Sequence, residues 1–111
     1  MKKENWIWMP HSGHFICGER CLFRLNTYVG KFIVSTIGEL MLMYNSTDNK
    51  YYENIGNGRK FETMVFKARK SEHKCCPYEI IVEKEVDFEG YNDAGQAYDG
   101  HLKLCKKWSR K

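Results

Sequence analysis

Two adjacent stretches of the chain alternate between apolar and polar positions. The first runs from Leu22 to Val29 and places on one side Phe23, Leu25, Thr27 and Val29. The second runs from Phe32 to Thr36, and only Gly30 and Lys31 separate the two. Two β-rich runs joined by a two-residue loop that begins with glycine are typical of a β-hairpin with a type II′ turn. The pattern therefore predicts two antiparallel strands here.

A further strand is predicted from Phe61 to Ala68. Gly56-Asn57-Gly58 precedes this strand, whereas a phosphate-binding glycine loop follows a strand and opens a helix, so this segment is predicted to be a turn. Asn45 to Lys50 is polar and is also predicted to be a turn. The apolar run from Leu40 to Tyr44 is short, so periodicity does not distinguish strand from helix there.

The clearest period-two pattern in the chain runs from Ile80 to Glu89. One side carries Ile80, Val82, Val86 and Phe88. The other side carries Ile81, Glu83, Glu85, Asp87 and Glu89. This pattern predicts a half-buried strand with an apolar face and a wet, acidic face. A cation site or a catalytic carboxylate pair is an alternative, but side chains two apart on a strand merely share a surface, so we favour a solvated face.

A C-terminal helix is predicted from Asp93 to Ser109, with Asn92 as its N-cap. At helical spacing, one stripe contains Ala94, Ala97, Tyr98, His101, Cys105 and Trp108. Gly95 and Gly100 each weaken such a helix by about 1 kcal/mol relative to alanine, so we expect the sheet to approach the backbone there.

Together these elements predict a single α+β domain over residues 1–111. It has a Cys/His-rich N-terminal segment (1–21), an antiparallel sheet of three to five strands (22–89) and a helix (92–109) packed on one face of the sheet. The chain has 111 residues, 42% of them hydrophobic, which suits one hydrophobic core. No run approaches the roughly 20 apolar residues of a membrane helix, and Pro10 ends the short apolar run after Met1-Lys2-Lys3, so we expect no membrane contact and a cytoplasmic location.

Cysteines and histidines are concentrated in a few places and suggest a structural Zn²⁺ site. There are five cysteines, an odd number, and without an export signal they are expected to be thiols or metal ligands. Cys17-x3-Cys21 and His101-x3-Cys105 have the spacing of paired zinc ligands. The preferred ligand set is Cys17, Cys21, Cys76 and Cys105, with His101, His14 and His11 as substitutes. The alternative is that the cysteines are small buried hydrophobic residues and that His101 is a core histidine with its hydrogen bonds satisfied.

The net charge is +4, and its distribution suggests a second kind of site. Basic residues cluster at the C-terminus at Lys103, Lys106, Lys107, Arg110 and Lys111. A second group contains Lys67, Arg69, Lys70 and Lys74. Such clusters bind phosphates, so a nucleic-acid-binding accessory protein that uses the C-terminal lysines with Trp108 and Tyr98 is one hypothesis. A helix dipole also favours lysines at its C-terminal end, which explains part of the cluster without any partner.

Catalysis has weaker support in the sequence. His101 and Cys105 can meet on one helix face as a nucleophile pair, but the C-terminal half of a helix disfavours a thiolate. No serine elbow, phosphate loop or metalloprotease motif is found in the sequence. The remaining enzyme hypothesis uses His101 with Glu62 or a metal.

Three segments carry a resemblance to known proteins. They resemble segments that occur in the same order in a family of small bacteriophage and prophage proteins. The segments are Val34-Ser35-Thr36, the pentapeptide from Glu62 to Phe66, and Tyr91 through Ala97 to Gly100-His101. The family has no assigned activity, so the resemblance implies a phage or prophage origin and an α+β fold. It also points to a polar set as the partner-binding site, namely Ser35, Thr36, Glu62, Thr63 and His101.

The functional hypothesis combines this resemblance with the small size and the lack of a catalytic motif. We expect a phage-encoded binding protein that acts on a host component, for example in counter-defence. The expected partner is a host protein or a nucleotide signal.

Overall fold

A computed structural model describes residues 6–10, 21–44, 50–53, 59–72, 74 and 76–111. The elements in chain order are β1 (Ile7–Trp8), β2 (Cys21–Tyr28), β3 (Phe32–Tyr44), β4 (Lys50–Glu53), β5 (Phe61–Lys70), β6 (Tyr78–Ile80), β7 (Asp87–Tyr91) and α1 (Ala94–Ser109). Among the described residues, no helix has the length and apolar character that crossing a membrane requires.

The strands form one antiparallel sheet around the long strand β3. Five strands follow the order β1-β2-β3-β5-β6, while β4 pairs with the end of β3 and β7 pairs with the start of β5. The helix α1 contacts β3, β5, β7 and β2 and therefore packs across the middle of the sheet. This confirms the α+β class and the helix on one face. Of the seven strands in the described residues, four have five residues or fewer.

The predicted hairpin is confirmed. β2 pairs with β3, and the Val29 N–H donates to the Phe32 carbonyl at 2.9 Å across the loop. Gly30 has a φ of 109° while Lys31 does not have a positive φ, as a type II′ turn requires. The segment from Leu40 to Tyr44 continues β3, so it is a strand. The turn predicted at 45–50 lies outside the described residues except for Lys50, which begins β4 and is therefore a strand residue. The turn predicted at 56–58 also lies outside them.

The segment from Ile80 to Glu89 is not one strand, and this prediction is wrong. β6 pairs with Ala68 to Lys70, and β7 pairs with Phe61 to Val65, on the same edge of β5. Residues 81–86 therefore lie opposite only residues 66–67, so most of them leave the ladder as an irregular loop. The alternation breaks with it: Val82 is 63% exposed, and Val86 packs towards the helix whereas Ile80 packs on the opposite face.

The helix begins one residue later than predicted. Asp93 is its N-cap, with an extended backbone and a side-chain Oδ1 that accepts from the Gln96 N–H at 2.7 Å. The buried stripe consists of Ala97, Gly100, His101, Leu104 and Cys105. Tyr98, which was expected in this stripe, is 47% exposed. The stripe is displaced because Gly100 faces the sheet, where a Cβ would lie 2.2 Å from the Tyr91 ring.

The two faces of the sheet carry separate hydrophobic clusters. Under the helix, the buried cluster contains Trp6, Val29, Val34, Val65, Leu104 and Cys105. On the opposite face, the buried cluster contains Met9, Ile33 and Cys76. At the far end of the helix face, Phe23 and Phe61 meet edge to face at 5.2 Å beside Gly38, the residue of β3 that pairs with both. A Cβ at Gly38 would lie 1.9 Å from the Phe61 ring, so this aromatic pair requires glycine there.

Candidate functional site

One polar cluster lies between the helix and the sheet, and we call it the threonine–histidine cluster. It consists of Thr27, Thr36, Thr63 and His101, and each of these residues has 0% exposure. Strand register explains the meeting of the threonines, because Thr36 pairs directly with Thr63, and Thr27 lies on the same face of the neighbouring strand. The buried stripe of α1 then places His101 over them.

Both ring nitrogens of His101 have hydrogen-bond partners. Nδ1 lies 2.7 Å from Oγ1 of Thr36, and Nε2 lies 2.8 Å from Oγ1 of Thr27. The Thr36 hydroxyl lies in turn 2.5 Å from that of Thr63. A neutral imidazole has one donor and one acceptor nitrogen, and a hydroxyl supplies either role, so the whole chain is satisfied with His101 uncharged.

The surroundings of His101 hold it in the neutral form. Burial lowers the pKa of His101 to about 4, because the charged ring would lose its hydration. The ring of Trp8 packs against it, with ring centroids 5.4 Å apart, and the register of β1 with β2 places Trp8 beside Thr27. Trp8 is itself 46% exposed, so it lies between His101 and solvent.

This arrangement suits a structural role for His101. A general base needs to reach the proton that it abstracts, and here both nitrogens are engaged and the ring has no exposed surface. The hydrogen bonds tie α1 to three strands at once. The cluster therefore positions the helix on the sheet.

Tyr91 extends the polar set towards the edge of the sheet. Its hydroxyl is buried near Thr63 but has no hydrogen-bond partner of good geometry among the described residues. Burial raises the pKa of Tyr91 to about 12, and the nearby Thr63 hydroxyl offsets only part of that rise. The ring packs against Gly100, so Tyr91 also sets the distance between helix and sheet.

The five residues predicted as a partner-binding site fall on two faces of the sheet. Thr36, Thr63 and His101 come together under the helix, whereas Ser35 and Glu62 point to the opposite face, because adjacent strand residues alternate. Burial, followed by the charge of Glu85, raises the pKa of Glu62. All five are buried, so a macromolecular partner does not contact them in this conformation.

The structure separates the predicted zinc ligands. Cys105 belongs to the cluster under the helix and Cys76 to the cluster on the opposite face, so one ion does not reach both thiols in this arrangement. Cys21, Cys76 and Cys105 are buried and are not joined by disulfides. Within the described ranges, no three His, Cys, Asp or Glu side chains are grouped to hold a metal ion. Cys17, His11 and His14 lie outside those ranges, so zinc binding stays a prediction.

The β7 carboxylates pair with the basic residues on the nearer side of the helix. Lys103 lies 3.3 Å from Glu89, and Lys107 lies 2.9 Å from Asp87. Asp87 also accepts from the Trp108 indole N–H at 2.8 Å. Burial raises the pKa of Asp87, but hydrogen bonds from Lys107, Trp108 and the Phe88 N–H outweigh this and lower it below the ordinary value. These lysines are thus partly neutralised from within the fold.

A groove remains at the C-terminal end of the helix, and we call it the basic groove. Its volume is about 320 Å³, and it is lined by Val29, Gly30, Lys31, Trp108, Ser109, Arg110 and Lys111. Three of these residues are cationic and none is acidic. In the part of the chain that the structure describes, Lys31, Arg110 and Lys111 form no ion pair. The sequence identified Arg110 and Lys111, but Lys31 joins them only through the hairpin turn.

Trp108 forms the aromatic wall of the basic groove. Its ring meets Phe32 at 4.8 Å and a steep angle, which fixes it against the sheet. The Nζ atoms of Lys107 and Lys111 lie 5.5 and 5.7 Å from the ring centroid, within the range of cation–π attraction. The basic groove therefore has a fixed aromatic wall with two lysine ammonium groups over its ring.

Comparison with known proteins adds no assignment. No protein family, curated protein sequence or solved structure matches the chain.

Proposed function

We propose that the chain is a small binding protein of phage or prophage origin that acts on a component of the host cell. We propose further that it binds an anionic partner through the basic groove. The origin comes from the resemblance of the Val34-Ser35-Thr36, Glu62–Phe66 and Tyr91–His101 segments. The counter-defence setting combines that resemblance with the small size and the lack of a catalytic motif. The cytoplasmic location comes from the expectation of no export signal and no membrane helix. The anionic character of the partner comes from the groove.

The observation that supports this proposal is the uneven neutralisation of charge along the helix. Lys103 and Lys107 have carboxylate partners on β7, whereas Lys31, Arg110 and Lys111 surround a concave surface without one. Like charges placed together repel each other and are relieved by an anion. A concave surface that gathers such charges is better suited to a partner than a flat one.

The threonine–histidine cluster also supports the assignment of binding to the basic groove. The hydrogen bonds of the threonine–histidine cluster are satisfied internally, so its polar groups are not presented to a partner. Its contribution to binding is indirect: it fixes α1, whose last residues form one side of the basic groove.

Affinity capture from a bacterial lysate tests the proposal. The bait proteins are the wild type, a Lys31→Glu/Arg110→Glu variant and a Lys60→Glu/Lys84→Glu variant with the same change in net charge. Lys60 and Lys84 are exposed and do not line the basic groove. Captured proteins and small molecules are identified by mass spectrometry.

We expect one partner to be retained by the wild type and the control variant and lost by the groove variant. A partner retained equally by all three baits would show that it binds elsewhere. A partner lost equally from both variants would show that it responds only to net charge. Either outcome contradicts the assignment to the basic groove.

Nucleic acid is the second candidate because Arg110 and Lys111 line the basic groove with Trp108. Lys106 and Tyr98 are exposed earlier on the same helix. Neutralising about three phosphates of a single strand gives a slope of about −2 in a plot of log affinity against log salt concentration. Fluorescence anisotropy with a labelled single strand measures that slope. Absence of binding at low salt removes this candidate.

Structural zinc, with Cys17 and Cys21 as the first ligand pair, remains a separate proposal. Structural zinc sites bind tightly and couple to folding, so protein purified without added metal should retain the ion. Metal analysis that finds less than about a tenth of an equivalent per chain contradicts it. If zinc is present, a chelator should lower the melting temperature.

A further inference from the structure

We propose that the basic groove is a phosphate-binding site that takes a doubly charged phosphate group, either free or at the end of a mononucleotide. This inference rests on the proposed function and specifies the chemistry of the anion.

The cations reach the groove from two separate elements. Lys31 belongs to the tight turn between β2 and β3, and Arg110 and Lys111 follow the last turn of α1. The turn is fixed by the Val29–Phe32 hydrogen bond, and the helix end by the N–H groups of Arg110 and Lys111, which donate to the carbonyls of Lys107 and Trp108. An anion between the two elements is therefore approached from both sides by groups on ordered backbone.

The chemistry of these side chains suits phosphate. The guanidinium of Arg110 offers parallel N–H donors that match two phosphate oxygens, and the ammonium groups of Lys31 and Lys111 act as point charges. The Ser109 hydroxyl donates to the Lys106 carbonyl and is not needed for the ligand. No acidic side chain lines the groove to compete for the cations.

The helix dipole opposes an anion here but is the smaller effect. The C-terminal end of a helix carries about −0.5 of an elementary charge, against three unit positive charges around the groove. Two of the terminal carbonyls already accept N–H groups from Arg110 and Lys111. The net field in the groove is positive.

The size of the groove limits the ligand. A volume of about 320 Å³ lies at the lower end of the range of about 300–1,000 Å³ for small-molecule sites. Free phosphate or a mononucleotide is of a size to occupy it, with Trp108 as the apolar wall. The lack of a side chain at Gly30 leaves room beside Lys31.

The test is a titration of the full chain followed by amide and indole NMR signals. The probes are adenosine 5′-monophosphate, sodium phosphate and adenosine, all at constant ionic strength. We expect adenosine 5′-monophosphate or phosphate to shift the Gly30, Lys31 and Lys111 amide signals and the Trp108 indole signal, while adenosine does not. Tighter binding of the nucleotide would identify a nucleotide ligand, and equal binding would identify free phosphate.

Matched variants decide the location. Lys31→Gln/Arg110→Gln should weaken binding at least tenfold, and Lys60→Gln/Lys84→Gln should leave it unchanged. Equal shifts with adenosine, or equal weakening in both variants, would overturn the phosphate site. If phosphate fails to bind while the captured partner still depends on Lys31 and Arg110, the proposed function stands and only this inference falls. If phosphate binds but capture is unaffected by the groove variant, the proposed function falls instead.

Discussion

The middle and the C-terminal end of α1 differ in how their polar groups are satisfied. At His101, every ring nitrogen has a partner inside the fold and no surface is exposed. Nine residues later, Arg110 is exposed at a groove that it shares with Lys31 and Lys111. The same helix thus carries polar residues with two different roles.

The difference between the two regions shows that a histidine packed against polar strand residues is not by itself evidence of a reactive site. Satisfied, buried polar groups fix a unique packing, and they are costly to disturb. Exposed charges without a partner contribute little to stability and are free to bind. Substitutions in the two regions should therefore separate stability from binding.

His101→Ala should give the largest loss of stability. It leaves a cavity and removes the partners of the Thr27 and Thr36 hydroxyls, so we expect a loss of about 3–5 kcal/mol in the free energy of unfolding. Urea denaturation measures it. Tyr98→Ala, one turn earlier and exposed, should change the value by less than about 0.5 kcal/mol. Similar effects of the two substitutions would contradict a structural role for His101.

Acidification should weaken the same region. His101 has a pKa of about 4 in the folded protein against an ordinary value of 6.5, so between these values only the unfolded state binds the proton. Its contribution to stability is complete above the ordinary value and decreases as the pH falls, by about 2.5 kcal/mol at a pH near 4.5.

His101→Gln, which does not titrate, is the control for the pH dependence. The raised pKa of Glu62 acts in the opposite direction in both proteins, so the difference between wild type and variant isolates His101. Denaturation curves at several pH values give that difference. A constant difference across the range is the result that disagrees with a buried neutral imidazole.

Gly100→Ala should cost about 2 kcal/mol, although alanine is the better helix former by about 1 kcal/mol. The new Cβ would lie 2.2 Å from the Tyr91 ring, so the helix or the ring has to move. Gly95→Ala in the first turn, where a Cβ would meet only the Asp93 carboxylate at 3.3 Å, should change stability by less than about 1 kcal/mol. Thermal melting of both variants checks the order.

Lys31→Gln/Arg110→Gln should have the smallest effect on stability. Both side chains are exposed, so we expect a change within about 0.5 kcal/mol while phosphate binding is lost. Melting and NMR titration of the same sample provide both numbers. A large loss of stability would mean that the basic groove is part of the packing and that the two regions do not differ in role.

Local signals in the sequence were sufficient for the hairpin and the helix. The Gly30-Lys31 loop predicted the hairpin, and three- and four-residue spacing predicted the helix. The same hairpin register places Thr27 opposite Val34 and Leu25 opposite Thr36, so Thr27 could have been assigned to the cluster from the turn alone. It was missed because an alternating strand residue gives no signal of its hydrogen-bond partner.

The remaining features depend on pairing between distant segments. The register of β3 with β5, which no short loop fixes, pairs Thr36 with Thr63. The same register directs Ser35 and Glu62 to the face of the sheet opposite the helix. The alternation from Ile80 to Glu89 predicted one strand. In the sheet, however, only residues 66–67 of β5 lie opposite residues 81–86, so these residues cannot all pair with β5. Periodicity describes the faces of a strand and does not count the partners available to it.

The interruption between β6 and β7 also affects how the sheet meets other chains. These two strands form the free edge beyond β5, in pieces of three and five residues separated by an irregular loop. A long, flat edge offers a template on which a stray strand can add and start an aggregate. Here an incoming strand would find only two short stretches of backbone separated by an irregular loop, so the loop protects this edge against fibril-like growth.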